Sequence, residues 1–524
     1  MSTHLRAVAA LLLLACVPAA ALAADTGTDA IPVTDFARFP LIMSPHLSPD
    51  GKYLEVRVDD EDGEMHSLAI FRVSDMSLVH TMHMPRYMLP LDARWVTSNR
   101  LAIEEGKSIG SLEEPTSSGE IFATDIDGKN QKYLFGYAPW GRRSSTRQGD
   151  EAFGEFAGRP EKANGHFFLQ AYSWSDENLS TLYDIDAVHN TRHLLADMHV
   201  ANMDFLVDPN GRPAFAQGTD SSFHRALYRK SATGWTPVVF DKGVSFAPFA
   251  YAPDGQTVYA TMSMNNGPAS LISQNQDGSD REILAMDNFS NIGTIEWTAF
   301  PEQPFAAALE TGVPTPAFID ANLPAAKLYQ ALQKSFPGEF VDFLNYSEDG
   351  AELLFYVHSD RDPGTYYLID THTFKLRKLF AAEPWIDPAK MAERRPFRFK
   401  ASDGMELEGY LTLPPRRGET NLPMVLLPHG GPIGIRDDWF YDADAQFLAS
   451  RGYLVLQVNY RGSSGRGRAF EQAGYLKWGT RIQQDLIDGV HWAIDQHLAD
   501  PQRICVYGGS FGGYSALMSV IRAP

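Results

Sequence analysis

The sequence predicts a seven-bladed β-propeller followed by an α/β domain on a mostly parallel sheet. Three observations carry this. A turn-then-strand pattern recurs over the first three quarters of the chain, mostly at spacings in the mid-to-upper forties. After residue 390 the pattern changes to continuous apolar strands alternating with helices. The final strand runs into a glycine-flanked serine and then a helix.

The repeat is clearest in SPDGKYLEVRV from Ser48, APDGQTVYATM from Ala252 and SEDGAELLFYV from Ser347. Weaker copies start at Thr97, Lys162, Asp208 and Pro301, placing turns near 51, 99, 165, 211, 255, 302 and 350. After Gly51, Leu54, Val56 and Val58 point one way while Glu55, Arg57 and Asp59 point the other, the period of a half-buried strand. Asp127-Gly128 and Asp277-Gly278 mark further hairpins. A repeat of this length holding several short strands is the size of a propeller blade. Seven copies therefore imply seven blades over 46–385, preceded by a segment 24–45. A β-sandwich array is the rival, and it needs no constant period. The longer gap between 99 and 165 contains a Gly-, Ser- and Arg-rich stretch, 136–159, that reads as an inserted loop.

Residues 386–396 read as a linker. Beyond it, 397–524 form the second domain. FRFKASDGMELEGYLTLP is a hairpin turning at Asp403-Gly404, and MVLLPHGGP is a buried strand entering a glycine turn. A helix in DAQFLASRG stops at Gly452, and YLVLQVNYRG is another buried strand. In TRIQQDLIDGVHWAIDQHL an apolar face runs through Ile482, Leu486, Val490, Ala493 and His497. RICVYGGS is a further strand. Apolar strands between helices mean a parallel sheet covered on both faces.

Composition narrows the function. With 524 residues the chain exceeds a single core. The net charge of −20 argues against nucleic acid, whose phosphates need a basic face. The first residues carry Arg6, an apolar run from Ala7 to Val17, a breaking Pro18 and the small-residue site Ala21-Leu22-Ala23. This reads as a secretory signal peptide, 1–23, with the mature protein periplasmic or extracellular. An uncleaved anchor is the rival, but the run is short for a membrane span. Lipid attachment at Cys16 is a weaker alternative. Of the two cysteines only Cys505 remains after cleavage, so no intrachain disulfide is available. Cys505 sits in an apolar run and reads as a buried core thiol.

Gly508-Gly509-Ser510-Phe511-Gly512 between strand and helix has the form of a nucleophile elbow. The turn strains the serine backbone and lifts its hydroxyl above the sheet. Gly508 and Gly512 keep strand and helix close, and Gly513 eases the helix start. An acyl-transfer site also needs donors for the oxyanion. The N–H of Phe511 is one candidate, and Gly431 in the HGGP turn, His429 to Pro432, is the other. His429 reads as part of that turn rather than as the base, because in this fold acid and base follow the serine. Other constellations are weaker. The glycine-rich 462–470 lacks the Lys-Ser/Thr of a phosphate loop. His80 and His83 lack further metal ligands. Glu113-Glu114 could clamp a peptide amino terminus, or simply be a charged loop.

HGGP at 429–432, NYRGSSGRG at 459–467, WGTRIQQDLIDGVHWAI at 478–494, GGSFGGY at 508–514 and SDRDPGTYYLID at 359–370 together resemble the prolyl oligopeptidase family of serine peptidases. The resemblance implies an α/β-hydrolase domain capped by its propeller, with an acylaminoacyl-peptidase-like branch nearest. It implies cleavage of short peptides through an acyl-enzyme on Ser510, with the propeller as size filter and no metal or organic cofactor. It places the catalytic Asp and His after Ser510, where only fourteen residues follow. The chain is therefore expected to be a fragment, inactive alone, with an exposed apolar edge at its last strand. An esterase and a noncatalytic propeller binding a partner are the alternative functions.

Overall fold

The computed structural model describes residues 30–60, 65–108, 115–137, 149–219, 225–415 and 417–523. The expected signal peptide with Cys16, and Glu113-Glu114, lie outside the described residues.

Seven separate antiparallel sheets, each formed from consecutive strands, make the seven blades: 42–83, 88–135, 152–199, 203–237, 245–285, 292–318 and 340–381. Six have four strands and the sixth blade has three. All seven recurring turns fall at one structural place, between the first and second strand of a blade. Gly51, Gly165, Gly211, Gly255 and Gly350 adopt positive φ there, which glycine tolerates without a steric penalty. The ring closes through Asn345, whose side chain accepts from Leu47 N and donates to Leu47 O, both at 3.0 Å. This joins the first blade to the last.

Three expectations need correcting. The first blade begins at Ile42, before residue 46, because the recurring turn is preceded by a strand of its own. Within the expected insertion, Ala152–Gly158 is a strand opening the third blade. The strand after Gly51 is covered on both faces: Glu55 and Asp59 are as buried as Leu54 and Val56, because each blade packs between two others. The sixth blade is followed by a helix, Pro324–Ser335, that buries Tyr329 against Phe305 and Phe343.

The second domain is a five-stranded sheet in the order 394–400, 406–412, 454–459, 422–426, 499–506. Only Glu406–Thr412 runs against the other four. The first strand reaches back to Arg394, into the expected linker. Alternation along Leu454–Asn459 explains the layering. Val455 packs with Ala445 and Ala449 of the helix Ala443–Ser450. Leu454, Leu456 and Val458 pack with Ile482 and Leu486 of the helix Arg481–Asp495. His497 does not extend that apolar stripe; it lies past the helix end at positive φ, exposed. The strand Ala499–Val506 forms the sheet edge among the described residues, and Cys505 on it is exposed rather than buried. Among the described residues no helix is long and apolar enough to cross a membrane.

The two domains meet through specific contacts. The glycine-rich 462–470 loop docks on the propeller, with Asn291 N donating to Gly465 O at 2.7 Å and Ala469 N to Asn266 O at 2.8 Å. The Phe289 ring lies between the guanidiniums of Arg398 and Arg466, 3.8 and 3.7 Å from its centre. The N-terminal helix Val33–Ala37 belongs to the second domain, where Phe36 contacts Phe447.

Candidate active site

Register brings two loops together. Leu426 pairs with Val506 across parallel strands, and Tyr507 N donates to Leu426 O at 3.0 Å. The HGGP turn and the glycine-serine turn thus leave the sheet side by side, at its carboxyl end. That is where open α/β sheets place their ligands.

Ser510 has φ 51° and ψ −118°, and Phe511–Arg522 is helical after it. A non-glycine residue in that region is strained. The glycines around it are required by space. A Cβ on Gly508 would stand 2.9 Å from Pro428 O and 3.0 Å from Gly512 Cα. One on Gly512 would collide with the same Pro428 carbonyl oxygen, and one on Gly513 would stand 3.2 Å from Gly508 O. Strand, turn and helix therefore touch, and the serine is pushed outward. Ser510 is exposed, and its hydroxyl makes no hydrogen bond among the described residues.

Phe511 opens the helix, so its N–H has no intrahelical acceptor. Its side chain is buried beside Tyr460 and Trp478. Gly431, at φ 112°, carries the other candidate donor. A Cβ on its neighbour Gly430 would lie 3.8 Å from Ser510 Cβ, which sets the turn directly beside the serine. The turn that carries Gly431 and the helix start at Phe511 thus flank Ser510.

His429 is held away from this role. Its Nε2 lies 2.9 Å from Ser463 Oγ and its Nδ1 2.7 Å from Gly430 O. The ring stacks on Tyr460, whose hydroxyl donates to His429 O at 3.0 Å. Burial lowers its pKa to about 4, so the imidazole is neutral at ordinary pH.

The sequence marks Asp403 only as a hairpin-turn residue and does not single out Arg461 or Asp485. Arg461 donates through Nε and Nη2 to the Asp485 carboxylate at 2.8 and 2.7 Å, and through Nη1 and Nη2 to Asp403 at 2.8 and 3.1 Å. Asp485 also accepts from Arg461 N at 3.0 Å. Burial pushes the Asp485 carboxyl up in pKa, and Arg461 opposes it. The available signal was an aspartate inside the buried face Ile482, Asp485, Leu486 and Gly489. The network fixes the start of the loop that carries Ser463, the partner of His429. His80 and His83 are directed apart, His80 toward Gly128 and His83 to Ser67 Oγ at 2.9 Å.

Residues 439–524 match the Prolyl oligopeptidase family. The chain is 26% identical over 536 aligned residues to the dipeptidyl aminopeptidase BIII of Pseudoxanthomonas mexicana, covering 97% of this chain and 73% of that protein. It is 38% identical over 102 residues to an acylamino-acid-releasing enzyme of Arabidopsis thaliana, covering 20% and 13% of the two. In fold it is similar to a puromycin-hydrolysing peptidase of Mycobacterium tuberculosis, with TM-score 0.64, 17% identity, and 94% and 77% coverage. Residues 439–524 thus form a prolyl oligopeptidase family domain, on a chain that is similar along most of its length to a dipeptidyl aminopeptidase and, in fold, to a puromycin-hydrolysing peptidase.

Proposed function

We propose that the protein hydrolyses short peptides through an acyl-enzyme on Ser510. The observation that carries this is the strained Ser510 backbone at a helix start, wedged by Gly508 and Gly512 against the strand that leads into HGGP. In this reading the Ser510 hydroxyl attacks the peptide carbonyl, the Phe511 and Gly431 N–H groups hold the oxyanion, and water then releases the acyl group. The propeller, docked over the hydrolase domain, limits access to short chains. Residues 1–23 direct export. The general base is a residue other than His429, whose nitrogens face Ser463 and Gly430.

Peptide anilides compared with simple p-nitrophenyl esters test the substrate class. The reading expects anilide cleavage that Ser510→Ala abolishes. Turnover confined to esters would replace it with an esterase.

A further inference from the structure

The propeller contains a cavity of about 450 Å³ between the first, second and seventh blades, lined by no residue of the hydrolase domain. This volume lies in the range of small-molecule sites. Its polar groups are paired unevenly. His46 Nδ1 and Glu55 Oε1 lie 2.5 Å apart and offset each other. Arg57 is under-satisfied. Its Nη2 reaches Met43 Sδ at 2.9 Å and Asp59 Oδ2 at 3.5 Å. Its Nε is buried without a hydrogen bond, 3.4 Å from Asp59 Oδ1, and His66 Nδ1 lies 2.8 Å from that same oxygen. Its Nη1 makes no hydrogen bond among the described residues. A guanidinium with open donors matches a carboxylate.

The second-blade wall carries the complementary group. Asp92 accepts from Arg94 Nε through Oδ2 at 2.9 Å, leaving Oδ1 without a hydrogen bond among the described residues. On the seventh-blade wall of the same cavity, Tyr356 and Tyr366 stack with ring centres 4.5 Å apart, and Leu344 also lines it. The cavity therefore presents a cationic fork, an anionic oxygen and an aromatic surface.

We propose that this cavity binds a short zwitterionic peptide, its carboxylate on Arg57 and its ammonium on Asp92, with a side chain against the tyrosine pair. The choice of ligand rests on the peptidase reading, because peptides released at Ser510 have both ends free. The site is then a second peptide site, separate from the hydrolytic one.

Titration calorimetry of the Ser510→Ala chain with the dipeptide Ala-Tyr tests this. One peptide is expected to bind per chain. N-acetyl-Ala-Tyr and Ala-Tyr amide are each expected to bind at least tenfold more weakly, a comparison that needs no change to the cavity. Arg57→Gln is expected to weaken Ala-Tyr at least tenfold while leaving the amide unchanged. Absence of binding, equal binding of dipeptide and amide, or Arg57-independent binding would each overturn the proposal. If Ser510 proves unreactive but Arg57-dependent binding persists, the cavity site stands and the peptidase reading falls.

Discussion

Gly430 and Ser510 face each other so closely that a Cβ on Gly430 would stand 3.8 Å from Ser510 Cβ. Neither residue is near the other in sequence. Parallel pairing of Leu426 with Val506 brings them together and sets the candidate oxyanion donors beside the serine.

Gly512 is packed against the Pro428 carbonyl oxygen, so Gly512→Ala forces the helix start away from the strand. Overpacking of this kind costs about 1–3 kcal/mol. Urea denaturation should show that loss for Gly512→Ala. Ser510→Ala, at an exposed hydroxyl with no described hydrogen bond, should stay within about 0.5 kcal/mol of the parent chain.

Arg461 is the principal counter-charge of the buried Asp485, whose side chain is 0% exposed. Arg461→Gln leaves that carboxylate uncompensated, and breaking such a pair costs about 3–5 kcal/mol. Adding Asp485→Asn should recover most of the loss. A double-mutant cycle showing simple additivity would refute the coupling.

His429 gives a signed pH dependence. Its folded pKa is lowered to about 4 from the ordinary 6.5, chiefly by burial. Below pH 6.5 the unfolded chain takes up a proton that the folded chain refuses. Stability therefore falls as pH drops, until the folded histidine also protonates near pH 4. At 1.36 kcal/mol per pH unit, the loss amounts to about 3 kcal/mol over that window. Comparing stability at pH 7 and pH 4.5, His429→Gln should lose less than the parent.

Cys505 is exposed on the edge strand. Ellman's reagent should therefore titrate one thiol per chain lacking residues 1–23, without denaturant. A thiol that reacts only after unfolding would place cover on that edge.

Much of this architecture was written locally in the sequence. The seven turns announce seven blades because each needs the same tight reversal after a blade's first strand. The elbow is legible because Gly508, Ser510 and Gly512 act within five residues. What was not legible depends on packing between distant segments. The polar side of the Gly51 strand looked solvent-facing, yet Glu55 and Asp59 are buried, because neighbouring blades cover both faces. Cys505 looked buried because its neighbours are apolar, and its exposure follows from sheet order. The Arg461–Asp485 pair spans 24 residues and two elements. The helix Pro324–Ser335 sits between two copies of the repeat, and its place is set by packing of Tyr329 on Phe305 and Phe343 of neighbouring blades.

The central claim is that Ser510 is the nucleophile. Fluorophosphonate labelling followed by peptide mass spectrometry tests it most directly. The adduct is expected on Ser510 alone and is expected to vanish in Ser510→Ala with the fold intact. An adduct on another serine, or one that survives Ser510→Ala, would contradict the account.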